Sequence, residues 1–253
     1  MRKLALALIA TILAACGQMP PAAPDAKVYA DALANPARFA KDRERDASRK
    51  PDQVFAFLGV APGMHVLDVF SGGGYTSEYA AWLVGPKGHV TSFNPNAFEN
   101  FVKDEVAERF AGDRLKNVER TVQNVNTLVL PAATYDVAVM VQNYHDVYWV
   151  KEPMWPKVDG PRLLARIKAG LKPGGVLGII DHAAAEGTGI KSAQTMHRIE
   201  KAKVIADLTA AGFVFEGESA VLANPADDHG KSVFDDSIRG KTDQFVLKFR
   251  KPK

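Results

Sequence analysis

The 253-residue chain has one cysteine, so no disulfide can form within it, and an oxidising compartment is tolerated. It has no excess of charge: 32 lysines and arginines face 29 acids. Without Arg2 and Lys3, which belong to the N-terminal segment described below, the balance is 30 against 29. That near-neutrality argues against nucleic acid and against a polybasic membrane surface as partners. Beyond the N-terminus no run of 18 apolar residues occurs, so no transmembrane helix is expected in the mature chain. None of the six histidines forms a His-x-x-x-His pair, and no internal repeat is present. A chain with 47% hydrophobic and 24% charged residues has the composition of a globular domain with a sizeable core.

The N-terminus is a targeting segment. Arg2 and Lys3 precede an apolar run, Leu4 to Ala15, of signal-peptide length. Leu13-Ala14-Ala15-Cys16 resembles the bacterial lipobox, which implies cleavage before Cys16 and a lipid anchor on its sulfur. An ordinary secretory signal with a chance cysteine is the alternative. The expected organisation is a signal peptide over 1–15, a lipidated Cys16 with a Pro/Ala-rich tether over 16–26, and one domain over 27–253 with a helical extension over 27–60. The protein is expected to face the periplasm, held at the membrane by lipid without spanning it.

Past the tether, helices are expected over Val28–Ala34, Phe39–Ser48 and Asp52–Gly59, the second with a solvated charged face. Strands and helices then alternate. Strands fall at Val66–Phe70, His89–Phe93, Val118–Val122, Tyr135–Gln142 and Val176–Asp181. Helices fall at Tyr75–Val84, Ala97–Phe110, Arg162–Ala169 and Gln194–Ala211. Two last strands, Phe213–Leu222 and Gln244–Arg250, have no helix between them and should pair antiparallel. The pattern predicts a doubly wound, mostly parallel, seven-stranded α/β sheet with helices on both faces and a C-terminal antiparallel hairpin.

The most informative segment is His65 to Tyr79. An apolar strand runs into Gly72-Gly73-Gly74 and directly on into a helix. Glycines at such a bend admit close approach by a ligand, and the helix start directs free N–H groups at it. Together with Tyr135-Asp136-Val137-Ala138 and Leu171-Lys172-Pro173-Gly174-Gly175, this order of pieces resembles the class I S-adenosylmethionine-dependent methyltransferases over residues 50–250. Asn143-Tyr144-His145-Asp146 and Asn224-Pro225-Ala226-Asp227-Asp228-His229 are similar to those of predicted bacterial methyltransferases that carry export signals.

The resemblance implies S-adenosyl-L-methionine as cofactor and a small-molecule methyl acceptor. It assigns Asp68 to the glycine loop and the amino-acid end of the cofactor, leaves room at Gly72 and Gly74, and turns the ring of Tyr75 to the sulfonium. Phe70, Ser71 and Asn143 complete the cofactor wall. Asn94 stands where the family carries a ribose-binding acid, and Asn124 where an acid meets the adenine amine. These neutral replacements leave open a different nucleoside ligand, or an exported binding domain that no longer transfers methyl groups.

His145, Asp146, His182 and His229 are the candidate catalytic residues, on loops expected to converge at the carboxyl edge of the sheet. A histidine there could take a proton from the acceptor, His145 being the foremost. The histidines and their acids could instead hold a metal, although no spacing selects ligands, and none is assigned. Asp146, Asp181 and Asp228 could equally cap helices or order loops. His197, expected on the long helix, is read as structural. Tyr148, Trp149, Met154 and Trp155 form either an apolar lid or packing against the N-terminal helices. The absence of prolines after Asn143 disfavours a nucleic-acid amine as acceptor.

Overall fold

A computed structural model describes residues 24–112 and 114–253. The expected signal peptide, Cys16 and most of the tether lie outside the described residues. Among those described, no helix is long and apolar enough to cross a membrane.

Three helices precede the sheet. Asp25 accepts a hydrogen bond from Lys27 N at 2.9 Å and starts α1 (Ala26–Ala34), which Asn35-Pro36 ends. α2 (Ala40–Arg49) stops where Lys50 turns to φ 40°, and Pro51 opens α3 (Pro51–Leu58) at once. β1 (His65–Val69), α4 (Tyr75–Val84), β2 (His89–Pro95), α5 (Asn96–Arg109) and β3 (Val118–Gln123) follow. Next come β4 (Tyr135–Val141), a 3₁₀ turn at Tyr144–Val147, α6 (Gly160–Gly170) and β5 (Leu171–His182). The chain ends with α7 (Ala193–Met196), α8 (Lys201–Ala210), β6 (Val214–Ser219) and β7 (Gln244–Arg250).

The seven strands form one sheet in the order β3-β2-β1-β4-β5-β7-β6. The first five are parallel, and β7 runs antiparallel between β5 and β6. This is the expected fold, with the order reversing between β1 and β4, where open α/β sheets bind ligands. Because β7 runs against β5, its start at Gln244 pairs with His182. The long loop before β7 therefore reaches the same rim as the ends of β1 and β4.

Alternation of side chains along the strands divides the core in two. Val66, Val137, Val139 and Ile180 pack under α1, α3 and α4. Leu67, Val69, Met140, Leu177 and Ile179 pack under α6 and α8. At Gly178 a Cβ would lie 2.5 Å from Leu58, so α3 sits down on the sheet only because this position has no side chain.

Two expectations are corrected. The helix expected over Gln194–Ala211 is two helices, interrupted at residues 197–200. Ile199 makes a parallel bridge with Ala183, its N–H donating to His182 O at 3.1 Å, and His197 takes φ 54°. Sheet pairing overrides a run that contains no breaker. The charge on α2 is also not simply solvated. Asp42 is fully buried beside Arg109, and Arg45 and Arg49 reach the glycine bend.

Candidate functional site

The bend after β1 is held in unusual backbone geometry. Phe70 and Gln142, which follow β1 and β4, both have φ 58°, a left-handed conformation that side chains disfavour. Asn143 ties the two strand ends together: its Nδ2 donates to Val69 O at 3.0 Å and Phe70 O at 2.9 Å. Its Oδ1 is buried with no hydrogen-bond partner. An orphaned acceptor at a strand-end crevice marks a place for a donor from outside the chain.

A cavity of about 170 Å³ opens beside it, lined by Asp68, Phe70, Ser71, the glycines 72 and 73, Tyr75, Gln142 and Asn143. Asp68 is 1% exposed and accepts from Ser77 Oγ at 2.6 Å. Burial pushes its carboxyl up to about 7, against the hydrogen bonds from Ser77 and the charge of Arg49. α2 supplies the opposite charge. Arg45 and Arg49 line the cavity, and Arg49 lies over the Tyr75 ring, 4.7 Å from its centroid. Among the described residues Arg49 forms no ion pair, and burial, with Arg45 next, pulls its pKa down. One cavity thus carries an acid, an unpartnered carbonyl oxygen and an unpaired guanidinium. That combination suits a zwitterion.

α2 is fastened over the bend. Arg38 pairs with Asp46 through two 2.7 Å hydrogen bonds, and Tyr75 Oη donates to Asp46 at 2.6 Å. Arg109 is fully buried and joins Asp42, Glu78 and Glu105. The Glu105 carboxylate covers the bend closely: a Cβ on Gly73 would lie 2.3 Å from it. Gly74, at φ 85°, leaves room for Arg109.

Asn94 is fully engaged. Its Oδ1 accepts from Gly72 N at 2.8 Å and Ser71 Oγ at 3.1 Å, while Nδ2 donates to Gly72 O and Glu99. It holds the loop, and Glu99 brings the acid that β2 itself lacks. Asn124 lies further along the rim. It caps the 3₁₀ turn at 125–127 and lines a separate cavity of about 40 Å³ with Trp155. Phe70, Phe98 and Trp155 pack edge and face between these two spaces.

Of the candidate catalytic residues, His145 is the best placed. It is 4% exposed, and its Nδ1 donates to Asp181 at 2.8 Å while its N–H donates to the other oxygen at 2.7 Å. Burial opposes a charge on this ring, yet Asp181 and Asp146 outweigh it and hold the pKa up at about 9. The two carboxylates thus favour the protonated form of the ring over the free base. The Asp181 carboxyl is held down despite its own burial, by the same pair.

His182 does converge with His145, with ring centroids 6.1 Å apart, but burial drives its pKa down to about 3 and its Nδ1 bonds Thr242 Oγ1 at 2.7 Å. His229 pairs with Asp243 at 2.9 Å and lines a different groove of about 630 Å³ beside Ala183 and Glu200. Asp228 orders its loop, accepting from Gly230 N at 2.9 Å.

His197 takes the third place in the cluster. Its Nδ1 lies 3.3 Å from His145 Nε2 and 3.8 Å from Asp146 Oδ1. Among the described residues, His145, Asp146 and His197 are the one group whose ligand atoms are close enough to share a metal ion. Trp149 and Phe234 pack against His197, with centroids 5.3 and 4.8 Å away. Trp155 Nε1 donates to Asp146 O at 3.0 Å and its ring is buried against Phe70. Of the aromatics expected to form a lid or to pack on the N-terminal helices, Trp149 packs on Trp155 and His197, and Tyr148 bonds Asp207.

Arg45, Arg49, Glu99, Glu105, Arg109 and His197 join the site without being expected there from the sequence. A signal existed for α2, where Asp42, Arg45 and Arg49 recur on one helical face. None existed for His197.

No protein-family profile matches the chain, and no curated protein matches it. Solved structures do. A SAM-dependent methyltransferase from Aquifex aeolicus aligns over 84% of this chain and 99% of its own, with TM-score 0.57 and 25% identity. A SAM-dependent methyltransferase from Mesorhizobium loti aligns over 80% and 97%, with TM-score 0.54 and 15% identity. The [4+2]-cyclase SpnF aligns over 87% and 86%, with TM-score 0.58 and 19% identity. The fold is the Rossmann-like fold of class I methyltransferases.

Proposed function

We propose that the protein is an S-adenosylmethionine-dependent methyltransferase acting on a small molecule. The observation that carries this is the cavity over the glycine bend, where Asp68 and the orphaned Asn143 Oδ1 face Arg49. An ammonium and a carboxylate on one small carbon, as in the amino-acid end of the cofactor, match that arrangement in sign. The chemistry such a cofactor would supply there is a methyl group on a sulfonium, with the neutral thioether as leaving group.

The chain's own residues bind and orient. Asp68 and Asn143 would accept from the ammonium, Arg49 and Arg45 would take the carboxylate, and the Tyr75 ring would stand near the positive charge. Fixing the donor in this way, so that the acceptor attacks in line, supplies much of the rate. The cavity of about 170 Å³ is smaller than the roughly 300 Å³ or more typical of ligand sites. It admits the amino-acid end; the nucleoside end requires Phe98 and Glu105 to move aside.

The same contacts favour a second reading, a binding domain without methyl transfer. Asn94 has no polar position left for a ribose, and Glu105 covers Gly73. The N-terminal residues support a site of action in the bacterial cell envelope, with a lipid anchor at Cys16, where the cofactor, made in the cytosol, must be supplied. Calorimetry with S-adenosylmethionine and S-adenosylhomocysteine tests the proposal. Saturable binding at one site is expected, and none at millimolar ligand would end it. Binding without transfer to any of a panel of hydroxyl, thiol and amine acceptors would select the second reading.

A further inference from the structure

We infer that His145, Asp146 and His197 form a zinc site with an open coordination position. The three ligand atoms are spaced nearly as a tetrahedral ion would hold them. His145 Nε2 lies 3.3 Å from Asp146 Oδ1 and 3.3 Å from His197 Nδ1, and the third edge is 3.8 Å. A tetrahedral zinc ion with bonds of roughly 2.0–2.1 Å holds its ligands roughly 3.3–3.4 Å apart. An octahedral ion with the same bonds would need about 2.9 Å. Two edges fit the tetrahedron, and the third closes with a shift of a few tenths of an ångström.

The surroundings are those of a ligand set. Asp181, fully buried, takes the Nδ1–H of His145, which fixes the ring and turns Nε2, where the ion would replace a proton, to Asp146 and His197. His197 is held at φ 54°, a left-handed conformation that side chains disfavour. The neighbouring Arg198 anchors that backbone, fully buried, by hydrogen bonds to Ala183 O, Lys231 O and Asp227. Trp149 and Phe234 supply the apolar wall. The carboxylates of Asp146 and Asp181 balance a dication. With three protein ligands, a fourth position remains for water or substrate. An acceptor hydroxyl bound there would release its proton to solvent and present its oxygen to the methyl group. That use rests on the methyl-transfer reading; the site itself does not.

The test uses metal alone. Chelator-treated protein is titrated with Zn²⁺ by calorimetry and with Co²⁺ by visible absorption. One equivalent of Zn²⁺ is expected, with the intense bands of four-coordinate Co²⁺. His197→Ala and Asp146→Asn should each weaken Zn²⁺ binding at least tenfold. Asp181→Asn should weaken it 10–100-fold. His89→Gln, on the surface beside Glu119, should bind as the parent does. Lack of Zn²⁺ binding by the parent protein, or parental affinity in a folded His197→Ala variant, would overturn the site. If the variants do not fold, the Co²⁺ spectrum of the parent decides by itself. Because neither titration contains cofactor, failure here is separate from failure to bind S-adenosylmethionine.

Discussion

Asp68 gives the sharpest prediction, because its charge should help binding and harm folding. Its carboxyl is fully buried and pushed from an ordinary 3.8 up to about 7. If the ionised form receives the cofactor's ammonium, affinity follows the ionised fraction. That fraction is about a tenth at pH 6 and about nine tenths at pH 8, so affinity should rise about tenfold, or about 1.4 kcal/mol. Stability should move the other way. A carboxyl whose folded pKa is raised contributes stability that is fully present below about pH 4. That stability is lost as pH rises through about 7. Between pH 5 and pH 8 the loss from this group is about 2–3 kcal/mol. Asp68→Asn keeps the size and the hydrogen bond to Ser77 but cannot ionise. It should bind S-adenosylmethionine more weakly and with a flatter pH dependence from this position, and it should be more stable than the parent at pH 8. Calorimetry across pH 6–8 and urea denaturation at pH 5 and 8 measure both. Equal affinities for parent and variant at pH 8 would show that Asp68 does not meet the ammonium, and a parent more stable than the variant there would show that burial does not penalise its charge.

Three further outcomes are expected. Arg109→Ala leaves buried Asp42 and Glu78 without their shared cation and should cost about 3–5 kcal/mol in urea denaturation, and Lys should not restore it fully because the guanidinium serves several carboxylates at once. Asn143→Ala removes two buried hydrogen bonds that tie β4 to the end of β1; a loss of about 1–3 kcal/mol is expected, together with weaker cofactor binding on calorimetry. Trp155→Ala empties a site buried among Phe70, Phe98 and Trp149 and should cost about 3–5 kcal/mol, read as a lowered denaturation midpoint.

The sheet was legible in the sequence because parallel strands, buried on both faces, write long apolar runs such as Tyr135–Val141, and because glycines and prolines punctuate them. The antiparallel ending followed from the missing helix before Gln244. The break at His197 was not legible. Met196-His197-Arg198-Ile199 contains neither glycine nor proline, and only the bridge to Ala183 and the burial of Arg198 turn the chain there. The residues that line the candidate site were legible where local chemistry marks them, at the glycine bend and Asp68. They were hidden where tertiary packing builds the site. The charged α2 reads as a solvated helix until Arg109, from α5, is placed behind it. Asn94 reads as a ligand group until Ser71 and Gly72 occupy its amide.

The proposed function requires that the crevice over Gly72 receive the amino-acid end of S-adenosylmethionine. A crystal structure with S-adenosylhomocysteine tests it most directly. The ammonium should meet Asp68 and Asn143 Oδ1, the carboxylate should meet Arg49, and Phe98 and Glu105 should have moved from their present positions. Ligand bound elsewhere with this crevice still closed, or ligand reversed with its purine beside Asp68, would contradict the account.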